Sequence, residues 1–145
     1  MEPKEDTLTG IEGWLRFHAF WLPITILITL FENYYILRIF IPTIDPKIAS
    51  IFNLLAMTDI VFIFYLSYIT FLFFNKDYRL PEQIKAFYLI YILYSLFVLY
   101  MLSKSSYTLK WYDYKEFIQS IIFTIIWIPY FTFSERVKNT FRAYC

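Results

Sequence analysis

The chain has 145 residues, of which 59% are hydrophobic, 24% aromatic and 17% charged. Soluble domains average about 45–50% apolar and about 25% charged residues, so this composition is shifted in the direction that a lipid solvent selects. The single cysteine excludes an internal disulfide, a CxxC redox pair and a four-cysteine zinc site. The net charge of +1 gives no electrostatic reason to expect nucleic acid as a partner. The composition therefore indicates a small membrane protein that contacts the lipid bilayer.

Four segments match the template of a membrane-spanning helix, which needs about 20 residues with few charges. They are too long for barrel strands and lack the alternation of apolar and polar residues that barrels show. The sequence therefore predicts an all-α membrane protein, a single four-helix bundle with short loops and a short amphipathic C-terminal tail. The predicted spans are 14–35, 48–74, 84–103 and 116–133, and the tail is 134–145.

The N-terminal residues and two of the connections between spans need separate interpretation. Residues 1–7 are acidic where a signal peptide is basic, so span 14–35 is expected to be retained. The connection 35–47 is too apolar for a free loop, so it is an extension of the first helix or an interfacial segment that stops near Pro42. The connection 104–115 is expected to be a polar loop that lies along the membrane surface.

The orientation follows from the distribution of lysine and arginine, which favour the cytoplasmic side. The side of the N-terminus, the second loop and the C-terminal tail holds eight of them, and the other side holds five. Both termini are therefore expected in the cytoplasm. The basic positions that carry this prediction most directly are Lys76, Arg79, Arg136, Lys138 and Arg142.

Aromatic and polar residues are expected to mark the membrane interfaces, where amphipathic rings lie at headgroup depth. His18 and Glu32 are expected to mark the inner and outer limits of the first span. The tail, with a helix cap at Ser134, is predicted to lie as a basic amphipathic helix on the cytoplasmic leaflet. The predicted interface anchors are Trp14, Trp21, Trp111, Trp127 and Tyr130.

Three motifs resemble a known bacterial family. They are the C-terminal stretch 126–131 followed by 134–141, the start Gly13-Trp14-Leu15, and the loop 73–76 followed by Leu80-Pro81. Together they are similar to the YdgK-like family of small four-span inner-membrane proteins of unknown function. The resemblance implies a multi-pass topology in the bacterial inner membrane, but it supplies no catalytic or binding residue to carry over.

Asp59 is the first candidate for a functional residue, because an acid at membrane depth is energetically costly. It falls near the middle of the second span, and no lysine or arginine is expected at the same depth. One interpretation is a site linked to protons or cations. The other is a hydrogen bond that packs two helices together.

Polar side chains also recur on one face of the third span and one face of the fourth, at spacings of three and four residues. They would either line a polar cavity with Asp59 or form hydrogen bonds between helices. The residues of this candidate site, beside Asp59, are Tyr91, Tyr94, Ser95, Ser120 and Thr124.

The function classes can be narrowed mainly by exclusion. The sequence has no histidine with a nearby acid, no paired carboxylates at the membrane surface and too few glycines for a nucleotide loop, so we expect no enzyme and no cofactor. A lone histidine likewise predicts no metal site. We expect a non-catalytic accessory, regulatory or interaction subunit that binds another membrane protein or a second copy of itself. The alternative is an oligomeric small-solute or proton-linked transporter that uses Asp59.

Overall fold

The chain forms a bundle of four long helices in the computed structural model, which describes residues 10–104 and 108–141. All four helices are long and apolar enough to cross a membrane, and no strand occurs within those residues. The prediction of an all-α membrane protein with four spans is therefore confirmed. Arg142 lies outside the described residues. The helices are α1 (Trp14–Tyr35), α2 (Pro46–Phe74), α3 (Leu80–Lys104), α4 (Trp111–Phe133) and the short α5 (Glu135–Thr140).

The first connection continues α1 instead of leaving it. A π-helix, Ile36–Phe40, follows directly, and a 3₁₀ helix, Ile41–Thr43, ends the run. The backbone becomes extended at Ile44, two residues after Pro42. Of the two predicted alternatives for this stretch, the helix extension is therefore the one that the structure contains.

Three helices begin earlier than the apolar runs suggested. Asp45 caps α2 by accepting a hydrogen bond from the Lys47 amide at 2.8 Å, and Asp77 accepts one from the Arg79 amide at 2.9 Å ahead of α3. α2 extends back to the cap at Asp45 because each added residue gains a backbone hydrogen bond, whatever its polarity. The predicted surface loop 104–115 is wrong from Trp111 onward, where α4 has already begun.

The apolar core lies at one end of the bundle, where α1 begins, α2 ends, α3 begins and α4 ends. We call this the terminal end, because the described parts of both chain termini also pack there. Its side chains are almost fully excluded from the surface. They include Leu15, Leu22, Leu66, Ile69, Leu72, Phe73, Leu80, Ile84, Trp127 and Phe131.

The C-terminal helix α5 closes the terminal end. Val137 and Phe141 are 1% and 4% exposed, and the Phe141 ring lies 5.7 Å from that of Phe73. The Thr140 hydroxyl accepts a hydrogen bond from the Gly10 amide at 3.0 Å. The expectation that this apolar face rests on the lipid leaflet is therefore corrected, because the bundle itself buries it.

Candidate functional site

Asp59 lies near the middle of the 29-residue α2 and is held by two neighbouring helices. Its Oδ1 accepts a hydrogen bond from the Tyr94 hydroxyl of α3 at 2.9 Å. Its Oδ2 faces the Asn33 side-chain amide of α1 at 3.5 Å. We call Asn33, Asp59 and Tyr94 the Asp59 cluster. It joins three of the four spanning helices at one depth.

Asn33 was not predicted as a site residue, because it directly follows Glu32, the expected outer limit of the first span. The side chain is 5% exposed, and its amide nitrogen also donates to the Thr29 carbonyl at 3.1 Å. Its Oδ1 atom is buried and has no hydrogen-bond partner. The signal that could have found it is the helical spacing of Thr25, Thr29 and Asn33, three polar residues four apart on one face of α1.

Glu32 is exposed beside the Asp59 cluster. Because Asn33 contacts Asp59, the adjacent Glu32 lies at about the depth of the α2 midpoint, and the helical run continues past it to Thr43. The expectation that Glu32 marks the outer limit of the first span is therefore wrong.

The second polar group joins α3 to α4. The Ser95 and Ser120 hydroxyls lie 3.0 Å apart, and Ser120 is fully buried. The Thr124 hydroxyl donates to the Ser120 carbonyl at 2.8 Å and lies 3.4 Å from the Tyr88 carbonyl. We call Ser95, Ser120 and Thr124 the serine cluster. Each hydroxyl already has a protein partner, which is the arrangement of hydrogen bonds between packed helices.

The predicted site residues are therefore divided between two clusters. Asp59 and Tyr94 belong to one, and Ser95, Ser120 and Thr124 belong to the other. Tyr91 joins neither by a hydrogen bond among the described residues, and its ring stacks on that of Phe87 with centroids 6.0 Å apart.

A third buried polar contact lies at the terminal end. His18 is fully buried, and its Nε2 lies 3.1 Å from the Tyr88 hydroxyl. The Trp127 ring meets the imidazole edge-on, with centroids 4.0 Å apart. These contacts with α3 and α4 were not predicted for His18, which was expected only to mark the inner limit of the first span. Its spacing of three and four from the buried Leu15 and Leu22 was the available signal.

The predicted interface anchors differ in their surroundings. Trp14 and Trp111 are 65% and 70% exposed, as an anchor requires, and Trp21 and Tyr130 are partly buried. Trp127 is 5% exposed, because it fills the space between α1 and α4 against His18. It is therefore a core residue, which corrects the anchor assignment.

Four of the predicted cytoplasmic basic positions lie within the described residues, and all four are at the terminal end. Arg136 pairs with Glu12 at 3.3 Å, and Lys76 and Lys138 are exposed. Arg79 binds Asp77 through two nitrogen atoms, at 3.0 and 2.8 Å. These bonds from the guanidinium and the Arg79 amide lower the pKa of Asp77 to about 2, and the carboxylate raises the pKa of Arg79 in return.

No set of three histidine, cysteine, aspartate or glutamate residues within 10–104 and 108–141 is placed to hold a metal ion. A family model matches residues 8–142, and its description is "Protein of unknown function (DUF2569)". Comparison with curated proteins and with solved structures finds no match.

Proposed function

Since the chain belongs to the DUF2569 family of unknown function, its role is inferred from its own geometry. We propose that it is a non-catalytic accessory or regulatory subunit that binds another membrane protein. We place it with the YdgK-like proteins of the bacterial inner membrane, on the motifs at its start, second loop and C-terminus. The observation that carries the proposal is Glu32, an exposed acid beside the middle of the bundle.

An acid at the depth of Glu32 is unfavourable against lipid, by about 3 kcal/mol on insertion scales. The surface around it is apolar, since Leu27 and Phe31 are 66% and 70% exposed. A partner helix that brings a hydrogen-bond donor or a basic side chain to this face of α1 removes the cost. Glu32 therefore supports a protein contact on α1 in preference to a purely lipid-covered surface.

The absence of catalytic function is also part of the proposal. The only histidine, His18, is fully buried and faces a tyrosine hydroxyl. Ser95 and Ser120 are engaged with each other. General acid–base or nucleophilic catalysis needs a base within hydrogen-bond reach of a nucleophile that substrate can approach, and the described residues offer no such pair.

The test is photo-crosslinking in native membranes. A photoreactive amino acid at Phe31 is expected to capture one membrane protein in stoichiometric amount. Leu93 of α3 is the matched control, because it is 66% exposed and adjoins Tyr94, which binds Asp59 at the same depth.

Glu32→Gln is expected to weaken the crosslink from Phe31 by about tenfold, because the charge-assisted bond is lost. A product with twice the mass of the chain identifies a second copy as the partner. Capture of lipid alone at both positions would refute the proposal.

A small-solute or proton-linked transporter is the second candidate, and the Asp59 cluster favours it. An intramembrane acid is a standard component of proton relays. The measurement is proton flux in vesicles that contain the purified protein. Asp59→Asn should abolish the flux while Ser67→Ala, a change at an exposed hydroxyl of the same helix, leaves it intact. Equal flux in empty vesicles would exclude this candidate.

We also propose that both termini are cytoplasmic, which the excess of lysine and arginine at the terminal end supports. A reporter that is active only in the cytoplasm should be active when it is fused after Cys145 and inactive when it is inserted after Asp45. The opposite pattern would reverse the orientation.

A further inference from the structure

A groove lies between α2 and α3 and is open to the surface of the bundle. It has a volume of about 270 Å³, and no polar atom is exposed in it. It is lined by Val61, Phe62, Tyr65 and Ile90. Val61 and Ile90 are 66% and 46% exposed, so the groove opens sideways from two membrane-spanning helices. The medium that it faces is therefore the acyl chains of the bilayer.

Aromatic rings hold α2 and α3 apart at this place. The Phe87 ring of α3 meets the Phe62 and Tyr65 rings of α2, with centroids 6.2 and 5.9 Å apart. Helices in membranes approach each other closely where small residues face each other, whereas rings of this size keep the backbones separated. The groove is therefore the space that these rings leave between the two helices.

One end of the groove leads to the turn between α2 and α3. The Tyr65 hydroxyl donates to the Gln83 carbonyl of α3 at 3.1 Å, and Gln83 Oε1 lies at the same distance. The Gln83 amide donates to the Arg79 carbonyl at 3.1 Å, so Arg79 lies one helical turn further toward the terminal end. Arg79, Gln83 and Ile90 are four and seven residues apart, which places them in one row along α3.

The length of this row matches one leaflet of a bilayer. From Ile90 to Arg79 it measures about 16 Å, at 1.5 Å per residue. The hydrocarbon of one leaflet is about 15 Å thick, half of the 30 Å core. An acyl chain that lies along the row therefore has its headgroup beside the turn before α3. Residues 75–85 carry three basic and two acidic side chains, a net charge of +1 that suits a phosphate.

The size and chemistry of the groove favour an acyl chain over a partner helix. One turn of a helix, about 10 Å across and 5.4 Å long, occupies about 420 Å³. This exceeds the volume of the groove, about 270 Å³, whereas an acyl chain is narrow and as apolar as the lining. Because bulk lipid is equally apolar, the gain on binding comes from van der Waals contact with the rings and from the headgroup.

We propose that the groove between α2 and α3 binds one acyl chain of an anionic phospholipid from the leaflet at the terminal end, with the phosphate beside Lys76 and Arg79. The rings of Phe62 and Tyr65 pack against the chain, and the bond between Tyr65 and Gln83 keeps the Tyr65 ring in place. The inference is independent of the proposed protein partner, whose contact face is on α1.

The test uses the full-length protein in phosphatidylcholine nanodiscs. The probe is phosphatidylglycerol that carries a photoreactive diazirine in one acyl chain, and mass spectrometry identifies the labelled residues. Every lipid-facing side chain meets bulk lipid, so a bound lipid is recognised by saturation. Labelling at Val61 and Tyr65 should level off as the fraction of probe rises, and unlabelled phosphatidylglycerol should compete with it. Labelling at Ile125 of α4, which is 66% exposed, should rise in proportion to the probe.

Ile90→Trp places a larger side chain in the groove. It should reduce the saturable labelling by about tenfold, since overpacking of a filled site costs about 1–3 kcal/mol. Ile125→Trp is the matched control, because it makes the same exchange outside the groove, and it should leave the labelling unchanged. Val61→Trp fills the groove from α2 and replaces Ile90→Trp if that variant does not fold.

The headgroup position has its own pair of variants. Lys76→Gln should weaken the saturable labelling by about fivefold, the equivalent of about 1 kcal/mol for one lysine near an anionic lipid surface. Lys138→Gln, a change at an exposed lysine of α5, should have little effect. Equal losses in both variants would overturn the placement of the phosphate. Labelling in the groove that never saturates, as at Ile125, would mean contact with bulk lipid only and would overturn the proposal.

Discussion

Removal of the Phe141 side chain tests how firmly α5 closes the terminal end. Phe141 is 4% exposed and packs on Phe73, with ring centroids 5.7 Å apart. Truncation of a buried phenylalanine to alanine costs about 3–5 kcal/mol. Because α5 is joined to the four long helices only after α4, at Ser134, it can undock without unfolding the bundle, so the effect cannot exceed the free energy of docking. Phe141→Ala should therefore raise the undocked fraction of α5 by about a hundredfold or more, up to complete undocking.

Limited trypsin digestion reads out this undocking, because α5 contains Arg136 and Lys138. Cleavage within α5 should become much faster in Phe141→Ala, while cleavage of the long helices stays unchanged. Phe133→Ala is the matched control, since Phe133 is 73% exposed on the adjacent end of α4. If Phe141→Ala is cut in α5 no faster than the wild type, α5 is not held by its apolar face and the described closure is wrong.

Three further predictions concern the remaining contacts. Ser95→Ala and Ser120→Ala should show a coupling of about 0.6 kcal/mol in a double-mutant cycle of unfolding, and zero coupling would contradict the serine hydrogen bond. Trp127→Ala should lower the free energy of unfolding by about 3–5 kcal/mol, whereas Trp111→Ala should have little effect, so equal costs would restore the anchor assignment. The lowered pKa of Asp77, about 2, stabilises the turn ahead of α3 above pH 4, the ordinary range of an aspartate. That contribution should disappear as the pH falls through about 2. Hydrogen exchange of the Arg79 amide measures it, and exchange that does not accelerate on acidification would refute it.

The positions of the four helices could be predicted because charge-free runs reveal the length that a bilayer requires. The start of the first span, residue 14, coincides with the start of α1, whereas the helical run continues beyond residue 35 to Thr43. The starts of α2 and α3 could not be located in the same way, because they depend on the cap at Asp45 and on the turn that Asp77 forms with Arg79. Hydropathy reports transfer into lipid, whereas a helix continues until a cap or a proline ends its hydrogen-bond pattern.

Which neighbouring helix each inward-facing side chain contacts was harder to predict from the sequence. The spacing on α3 correctly grouped Tyr94 and Ser95 as inward-facing, but it could not show that Tyr94 faces α2 and Ser95 faces α4. Side chains one residue apart on a helix point about 100° apart, so each meets a different neighbour. The choice of neighbour depends on how the helices pack, which no single helix encodes. For the same reason Trp127 resembled an anchor until its contact with His18 was known.

The two ends of the bundle are held together by different kinds of contact. At the terminal end, buried leucine and aromatic side chains interlock and both termini dock. Toward the other end, polar contacts replace much of this packing, and α1 exposes large apolar residues from Leu27 to Tyr35. Regions with fewer buried apolar contacts open at lower free energy than packed cores. Local opening is therefore less costly around Asp59 than at the terminal end, which is the more tightly packed part of the bundle.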